Sequence, residues 1–334
     1  MEDIIVTGAT GFIGRRLIRE LLKVYDKERI LCLIRDKTDD LEISGRQILS
    51  ELNVKIKYID LVSRTGLKDL PQNPKLIFHL AASTESGDKD HRCNDEGTIN
   101  LLKAFPNISS ETKIIFTSTT AIYAGREDLD QPIIKNTIPF PSNEYGRTKL
   151  FAEHVLKDKT EKSGINCSVF RLSTVWGEGT RKNGLFDKMN KLVRNNSIIP
   201  RLNWQGKTGL VNVDDVVRIL INKSFNRSDE NFEICILCHE NLTLAEISEV
   251  IHRKSKVRYS QIWLPLFFWN FAGSIVKKTG LFEKFTPNGL YNLLWRLNLI
   301  INDSLYCKPD ESYAETNKFK TSMKNFKVDY LNNE

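Results

Sequence analysis

Short apolar runs alternate along the first two-thirds of the chain with segments whose apolar residues recur at helical spacing. The run DIIVTG is followed by FIGRRLIRELLKVY, in which apolar positions repeat every three to four residues. Further β-branched runs follow, each separated from the next by room for a helix: RILCLIR, VKIKYID, KLIFHLAA, TKIIFTST and NCSVFRLS. Because parallel strands need a crossover to return, this alternation predicts an α/β fold with a doubly wound parallel sheet.

The alternation becomes irregular beyond about Gly177, and all five tryptophans lie at or after Trp176. Such a change indicates a second, smaller domain toward the C-terminus, which we expect to select a substrate. The sequence therefore predicts a first domain over residues 1–176, which also receives about 208–238, and a smaller substrate domain from 177–207 and 239–334.

One segment of the second domain is strongly apolar, from Trp263 to Val276. At 14 residues it is too short to span a bilayer as a helix. We expect a buried helix or a lid helix here. Contact with a membrane surface is the less favoured alternative.

Composition narrows the class of function. A chain of 334 residues with 40% hydrophobic residues can bury a sizeable core. The net charge of +7 is scattered among 42 acidic residues, and the sequence contains no nucleic-acid-binding motif. These features argue against a nucleic-acid partner and favour an anionic small molecule.

The beginning of the chain and its cysteines bear on the compartment. The first predicted strand starts within a few residues of Met1, which leaves no room for a secretory signal, so we expect a cytoplasmic protein with reduced cysteines. Cys235 and Cys238 form a CxxC pair, but they lie in a predicted strand and no second pair completes a zinc site. No metal is therefore expected.

The stretch TGATGFIG places Gly8, Gly11 and Gly14 between the first strand and the first helix. A turn of this kind presents free backbone N–H groups and the positive end of a helix dipole to a pyrophosphate. Gly8 permits the tight turn, Gly11 lets the phosphates approach, and Gly14 lets the helix pack on the strand. Because the spacing is GxxGxxG, the prediction of a dinucleotide-binding Rossmann domain depends on the strand before it and the helix after it.

A second motif lies in EYGRTKLFAEHVL, where Tyr145 and Lys149 are four residues apart in a helical pattern. That spacing puts the phenol and the ammonium on one helix face. Tyrosine, with a usual pKa near 10, is a poor base at neutral pH, and a nearby cation favours its phenolate. An ordinary amphipathic helix would show the same pattern, so the assignment gains its weight from the dinucleotide motif upstream.

Five motifs in a fixed order make the chain resemble the extended short-chain dehydrogenase/reductases, the NAD-dependent epimerase/dehydratase family. They are TGATGFIG, FHLAA, CNDEGTINLL, YGRTK and VNVDDVV. The resemblance implies a nicotinamide cofactor and extends over nearly the whole chain. Carried over position by position, it implies cofactor contacts at Gly8, Gly11, Phe12, Ile13, Gly14, Asp60, Leu61, Ala81, Ala82, Asn94, Tyr145 and Lys149.

The resemblance also implies the catalytic groups. Thr119, four residues before Tyr123, matches the hydroxyl that hydrogen-bonds the reacting oxygen, with Ser118 as an alternative because TSTT offers several registers. Tyr145 is then expected to transfer the proton. Lys149 is expected to lower the pKa of the tyrosine and to hold the nicotinamide ribose.

Departures from the family pattern are informative. Thr120 and Ala121 stand where family dehydratases place Asp and Glu, so water elimination is disfavoured. Thr208, beside Lys207, stands where many nucleotide-sugar epimerases carry an arginine for the substrate diphosphate. The loop usually written YGPG is WGEG, and the role of Glu178 is open.

The cofactor preference rests on Arg35, which follows the second strand where an arginine accommodates a 2′-phosphate. NADP is therefore favoured over NAD, although the neighbouring Asp36 could reach the ribose instead.

We expect a reductase of a ketone on a nucleotide sugar. The alternatives are a nucleotide-sugar epimerase with tightly bound NAD and, from another class, a redox sensor without catalysis. A homodimer remains open.

Overall fold

The computed structural model describes residues 2–84, 90–126, 128, 131–180, 184–226, 230–279, 305–308 and 317–319 of the chain. The strands are β1 (Ile4–Thr7), β2 (Ile30–Ile34), β3 (Lys55–Tyr58), β4 (Leu76–His79), β5 (Lys113–Thr119), β6 (Asn166–Leu172), β7 (Thr174–Trp176), β8 (Lys207–Asn212), β9 (Phe232–Leu237) and β10 (Glu240–Thr243). The α-helices are α1 (Phe12–Leu21), α2 (Asp40–Glu51), α3 (Glu96–Ala104), α4 (Glu144–Ser163), α5 (Leu185–Arg194), α6 (Val213–Phe225), α7 (Leu244–Lys254) and α8 (Leu266–Thr279).

The large sheet confirms the predicted Rossmann-type α/β fold. Its seven strands stand in the order β3-β2-β1-β4-β5-β6-β9, and the five pairs from β3 to β6 are parallel. The chain leaves β1 toward β2 and β3, and then returns on the other side for β4. In such sheets the carboxyl ends of the strands at this reversal are where ligands bind.

Burial explains why these strands appear as continuous apolar runs in the sequence. Every residue of β1, β2, β4 and β6 is buried, as expected for parallel strands covered by helices on both faces. The core beside them includes Phe105, Phe116 and Leu156. In β5 the pattern differs only at the last residue, Thr119, which is half-buried.

The chain divides into two compact units. The first comprises Met1–Ile122, Pro141–Leu172 and Val213–Cys235, and the second comprises Tyr123–Phe140, Ser173–Asn212 and Ile236–Glu334, as far as these ranges are described. In the second unit a small sheet has the order β10-β8-β7, with β8 parallel to β7 and antiparallel to β10. Because β8 pairs there, residues 208–212, which the sequence pattern assigns to the first domain, group with the second unit.

The second unit has a core of its own, in which Trp176, Trp204 and Trp269 pack with aliphatic residues of β8, β10 and α7. Helix α7 begins with a capping box, in which the Thr243 hydroxyl accepts the Glu246 N–H and the Glu246 carboxylate accepts the Thr243 N–H. No helix in the described ranges is both long and apolar enough to cross a membrane.

For the apolar segment from Trp263 we expected a buried helix or a lid helix, and the structure contradicts full burial. Trp269 is only 3% exposed, but Trp263 and Phe267 are each 74% exposed. The segment therefore forms helix α8 with one packed side and one side that faces water.

Candidate active site

The glycine turn after β1 is built by backbone contacts that leave no room for side chains. Gly8 has a φ of +70°, and a Cβ at this position would lie 2.7 Å from the backbone nitrogen of Ala81. A Cβ at Gly14 would overlap the carbonyl oxygen of Gly8. The Gly11 N–H donates to the same Gly8 oxygen at 3.0 Å, which closes the turn.

Helix α1 starts directly from this turn. Gly11 is its N-cap residue, and neither a capping side chain nor an acidic residue occupies the first turn. The N–H groups at the start of an α-helix lack intrahelical acceptors, so an anion can use them. Phe12 and Ile13 are half-buried beside them, and the Arg16 guanidinium lies over the Phe12 ring at 5.1 Å from its centroid.

The loop after β4 is tied to β1 and to α4. The Ala81 N–H donates to Thr7 Oγ1 at 3.1 Å, and Ala82 follows half-buried. Asn94, which is 1% exposed, accepts the Ser83 N–H at 2.9 Å and donates to the Ser83 carbonyl and to Thr148 Oγ1. Asn94 thus braces this loop against α4.

His79, at the end of β4, is buried between two hydroxyl groups. Its Nδ1 lies 2.9 Å from Thr7 Oγ1, and its Nε2 lies 2.9 Å from Thr98 Oγ1. Burial, together with the charge of Lys149, lowers the pKa of His79 to about 3. The imidazole is therefore neutral and links β1, β4 and α3.

Asp60 and Leu61, which the resemblance assigns to the adenine side, have local partners. The Asp60 carboxylate accepts the N–H groups of Val62 and Ser63 at 2.7 and 2.9 Å. The Leu61 side chain belongs to the core, and the Leu61 carbonyl accepts the Asn100 amide at 2.8 Å. These bonds fix the turn that follows β3.

Arg35, the residue behind the expected NADP preference, lies beside an acidic side chain. Its Nε and terminal nitrogen donate to one oxygen of Glu42 at 3.2 and 3.0 Å. The Glu42 side chain is 5% exposed, whereas that of Arg35 is 34% exposed. Asp36 pairs with Arg46 at 3.3 Å, and its side chain is 83% exposed.

The end of β5 separates the two candidate hydroxyls. Ser118 is buried and donates to Glu153 Oε1 at 2.5 Å, so its hydroxyl is directed toward α4. Thr119 is half-buried, and its Oγ1 accepts the Ala121 N–H at 3.1 Å. Successive strand residues point to opposite sides, so only one of the two hydroxyls faces α4.

Helix α4 carries Tyr145 in its first turn, next to the N-cap Asn143, whose side chain accepts the Gly146 N–H at 2.7 Å. The Tyr145 ring is half-buried and lies 5.9 Å from the His91 ring, centroid to centroid. A Cβ at Gly146 would lie 3.0 Å from the carbonyl oxygen of Ala121. The start of α4 is thus pressed against the segment that follows β5.

Lys149, one turn further along α4, is 1% exposed, and its Nζ has no hydrogen-bond partner among the described residues. The Nζ lies 3.9 Å from the centroid of the Phe116 ring, a cation–π distance. Burial lowers the pKa of Lys149 to about 7, against the opposing effect of the negative charge of Glu153. A buried ammonium without acceptors is a site for ligand oxygens.

Glu153 lies in a family-like motif, and the sequence left open whether it has a direct role or is a helix-face residue. The structure places it in a buried network that the sequence did not predict. Arg171 of β6 donates to both Glu153 oxygens at 3.2, 3.2 and 2.7 Å, and both side chains are at most 5% exposed. Two sequence features could have indicated this pair: Arg171 lies inside an apolar strand, and Glu153 lies one turn after Lys149. Charged residues at such positions are buried only when they are paired. The network joins β5, α4 and β6.

Besides Lys207 beside Thr208, the sequence offers Arg181, Lys182 and Arg201 of the smaller domain for contacts with a substrate phosphate. Those that are described have partners within the second unit. Thr208 Oγ1 lies 3.3 Å from Thr174 Oγ1, and Lys207 lies over the Tyr306 ring at 5.8 Å. Arg201 donates to the carbonyl and to the hydroxyl of Ser260 at 3.0 and 2.5 Å. Glu178 is exposed. Arg181 and Lys182 lie outside the described residues.

Two observations fit these residues to a nicotinamide dinucleotide. The glycine turn at Gly8 and Gly14 leaves a space that a Cβ would fill, which we call the cradle, and it lies directly before the first turn of α1. The Lys149 ammonium is buried without an acceptor, as expected for a group that binds ribose hydroxyls. Gly8, Gly11 and the first turn of α1 would hold the pyrophosphate, and Lys149 would hold the ribose.

Comparisons with known proteins agree with this fit. The sequence profile of the NAD dependent epimerase/dehydratase family matches residues 4–234. UDP-glucose 4-epimerase of Mycoplasma pneumoniae is 30% identical over 211 residues, which cover 59% of this chain and 59% of that protein. D-erythronate dehydrogenase of Haemophilus influenzae is 27% identical over 178 residues, covering 52% and 54% respectively. The match spans a little over half the length of both relatives.

Solved structures show the same fold. A variant of UDP-glucuronic acid 4-epimerase from Bacillus cereus, in complex with NAD and UDP-4-deoxy-4-fluoro-glucuronic acid, has a TM-score of 0.65 at 25% identity, over 79% of this chain and 86% of that one. UDP-glucose 4-epimerase from Thermus thermophilus, in complex with NAD, has a TM-score of 0.62 at 19% identity, over 78% and 85%. The second likeness concerns the fold alone.

A matched pair of glycine substitutions tests the cradle. Gly8 and Gly164 have nearly the same φ, +70° and +68°, but a Cβ at Gly164 meets nothing closer than 3.8 Å. Gly164→Ala should cost only the backbone strain, about 1–2 kcal/mol. Gly8→Ala should cost roughly 1–3 kcal/mol more, because its Cβ overlaps the Ala81 backbone, and it should weaken NAD binding at least about tenfold. Denaturant unfolding and NAD titration measure both effects, and equal behaviour of the two variants would contradict the cradle.

Proposed function

Because the chain belongs to the NAD dependent epimerase/dehydratase family, we propose that it is an NAD-dependent enzyme that epimerises a hydroxyl-bearing carbon of a nucleotide sugar. The observation that carries this proposal is the buried Lys149 ammonium, which has no acceptor within the described ranges and lies one helical turn from Tyr145. A redox sensor without catalysis has no need of this pair. Sugar carbons with a free hydroxyl are the targets named for the epimerases that the chain resembles.

Each of the three side chains has a distinct task. The Thr119 hydroxyl donates to the reacting sugar oxygen, and the Tyr145 phenolate removes the proton from that oxygen when the carbon is oxidised. The Lys149 ammonium stabilises the phenolate and holds the ribose hydroxyls. NAD supplies the hydride acceptor and donor when it is bound. After the ketone has turned its opposite face toward the cofactor, Tyr145 returns the proton to the same sugar oxygen.

The neighbours of Thr119 support its role as the hydrogen-bond donor and argue against a dehydratase reaction. The Ser118 hydroxyl is directed to Glu153, so Thr119 is the proposed hydrogen-bond donor to the substrate. Thr120 and Ala121 are buried and offer neither an acid nor a base. Water elimination, which needs both, is therefore not the proposed reaction.

The proposed cofactor is NAD rather than NADP. The sequence favoured NADP because of Arg35, but the Arg35 guanidinium donates two hydrogen bonds to Glu42. The negative charge of Glu42 would repel a 2′-phosphate bound to that guanidinium. The Bacillus cereus UDP-glucuronic acid 4-epimerase variant, which is in complex with NAD, supports the same choice. The first unit would bind the dinucleotide, and the second would select the sugar.

The choice of NAD also weakens the case for ketone reduction. A reductase exchanges its cofactor in every turnover, whereas an epimerase returns the hydride and profits from a cofactor that stays bound. One argument for a reductase remains. Thr208 stands where many nucleotide-sugar epimerases carry an arginine that binds the substrate diphosphate. We therefore retain 4-keto reduction as the second candidate.

Replacing the tyrosine tests the proton transfer. Tyr145→Phe should lower turnover by roughly two to four orders of magnitude, the usual contribution of a positioned acid-base group, while NAD affinity stays nearly unchanged. The control is Tyr58→Phe, the same chemical change at an exposed tyrosine of β3, which should leave both quantities unaltered. Assays with UDP-glucose, UDP-glucuronic acid and UDP-N-acetylglucosamine measure the turnover. Wild-type turnover of Tyr145→Phe would refute the assigned mechanism.

A cofactor balance separates epimerisation from reduction. The purified protein should interconvert two epimers of a UDP-sugar with no net change in reduced-nicotinamide absorbance, because the hydride returns to the same substrate. Arg35→Ala should leave NAD affinity unchanged, since Glu42 already occupies the guanidinium. Consumption of one reduced cofactor per product would instead establish the reductase, and tight binding of NADP that Arg35→Ala abolishes would overturn the choice of NAD.

A further inference from the structure

Helix α8 and Trp263, three residues before it, present a group of exposed apolar side chains. Trp263, Leu266, Phe267 and Phe271 are 74%, 61%, 74% and 67% exposed. Phe267 and Phe271 are four residues apart on the helix, so their rings lie on one side, next to Leu266. We call these four residues the α8 face. A group of large exposed apolar side chains of this kind marks an interaction site.

The opposite side of α8 fixes the direction of this face. Trp269 is buried, its Nε1 donates to Asn203 Oδ1 at 3.2 Å, and its ring lies 4.9 Å from the Trp204 ring, centroid to centroid. The Asn203 amide also pairs with both backbone groups of Leu264, at 2.8 and 3.0 Å. The start of α8 is therefore held rigidly in the second unit, and the α8 face is turned away from that unit's core.

The charged residues that precede the α8 face along the chain are all basic from residue 250 on. Arg253, Lys256 and Arg258, in the segment just before it, are exposed, and Arg253 pairs with Glu249 at 2.5 Å. From residue 250 to residue 282 the sequence contains no Asp or Glu, and two further lysines follow at 277 and 278. Exposed aromatic rings beside a basic segment are the combination that binds anionic lipid headgroups and the acyl boundary below them.

We propose that the α8 face, together with Lys256 and Arg258, docks this protein onto the surface of an anionic lipid bilayer. The aromatic and leucine side chains enter the interface, and the two cations contact lipid phosphates. A second copy of the chain is the less suitable occupant, because a two-fold interface would bring the basic segments of both copies together. The proposal is independent of the catalytic roles. It adopts contact with a membrane surface, the less favoured alternative for the segment from Trp263 to Val276.

Vesicle sedimentation with the full chain tests the proposal. The wild-type protein should bind vesicles of phosphatidylglycerol and phosphatidylcholine at least about tenfold more tightly than pure phosphatidylcholine vesicles, and added salt should weaken this binding. Phe267→Ser with Phe271→Ser should lower the affinity for both vesicle types at least about tenfold. Lys256→Glu with Arg258→Glu should abolish the preference for the anionic vesicles.

The control is Ile138→Ser, which makes a similar change at a side chain 82% exposed and outside α8, and should leave vesicle binding unaltered. Circular dichroism and NAD titration verify that each variant is folded, which is expected because all the altered side chains are exposed. The proposal is overturned if the wild-type protein does not sediment with anionic vesicles at low salt, or if the α8 variants bind as well as the wild type. A dimer that Phe267→Ser with Phe271→Ser dissociates, without vesicle binding by the wild type, would assign the face to self-association instead.

Discussion

Among the described residues, the buried Lys149 ammonium of the first unit has no hydrogen-bond partner, and its charge constrains what can lie around it. An isolated charge in a protein interior is costly, and a lysine responds by losing its proton more easily. Around Lys149 the fold offers two compensations, the face of the Phe116 ring and the negative charge of Glu153. Neither replaces the hydrogen bonds that the ammonium would have in water. A ligand that supplies oxygen acceptors would provide them, as proposed for the ribose of NAD.

The negative charge of Glu153, which lies near Lys149, is itself held in a buried hydrogen-bond network. Glu153 can remain buried because Arg171 binds both of its oxygens and Ser118 donates to one of them. This network fixes α4 against β5 and β6. As a result, the start of α4 carries Tyr145 past the end of β5, where Thr119 is the one half-buried residue of an otherwise buried strand. The same interactions thus hold α4 against the sheet and set the position of Tyr145 and Lys149, the proposed catalytic pair.

Much of this arrangement could be predicted from the sequence, because it depends on local patterns. The alternation of strands and helices predicted the parallel sheet, and the glycine spacing together with its flanking elements predicted the turn before α1. The choice between Ser118 and Thr119 was different, since it depends on a contact with Glu153, 35 residues away along the chain. The interpretation of Arg35 also depends on a contact that the sequence does not show. Its partner Glu42 lies on the next helix, and no periodicity reveals that ion pair.

The second unit was less accessible to sequence reasoning. Its small sheet takes β7, β8 and β10 from separate parts of the chain and mixes parallel with antiparallel pairs, so it has no regular rhythm. Helix α8 has apolar residues all around its first turns, a pattern that usually indicates burial. Only the contacts of Trp269 with Asn203 and Trp204 reveal which side is packed.

The most direct test of the central claim is the pKa of Lys149, measured by NMR with lysine labelled at the ε-carbon, with Lys149→Met to assign the resonance. Without cofactor the pKa should be about 7, because burial disfavours the charged ammonium. Addition of NAD should raise it, because ribose hydroxyls accept hydrogen bonds from the charged form. A pKa near the ordinary lysine value in the free protein, or one that NAD leaves unchanged, would contradict the account.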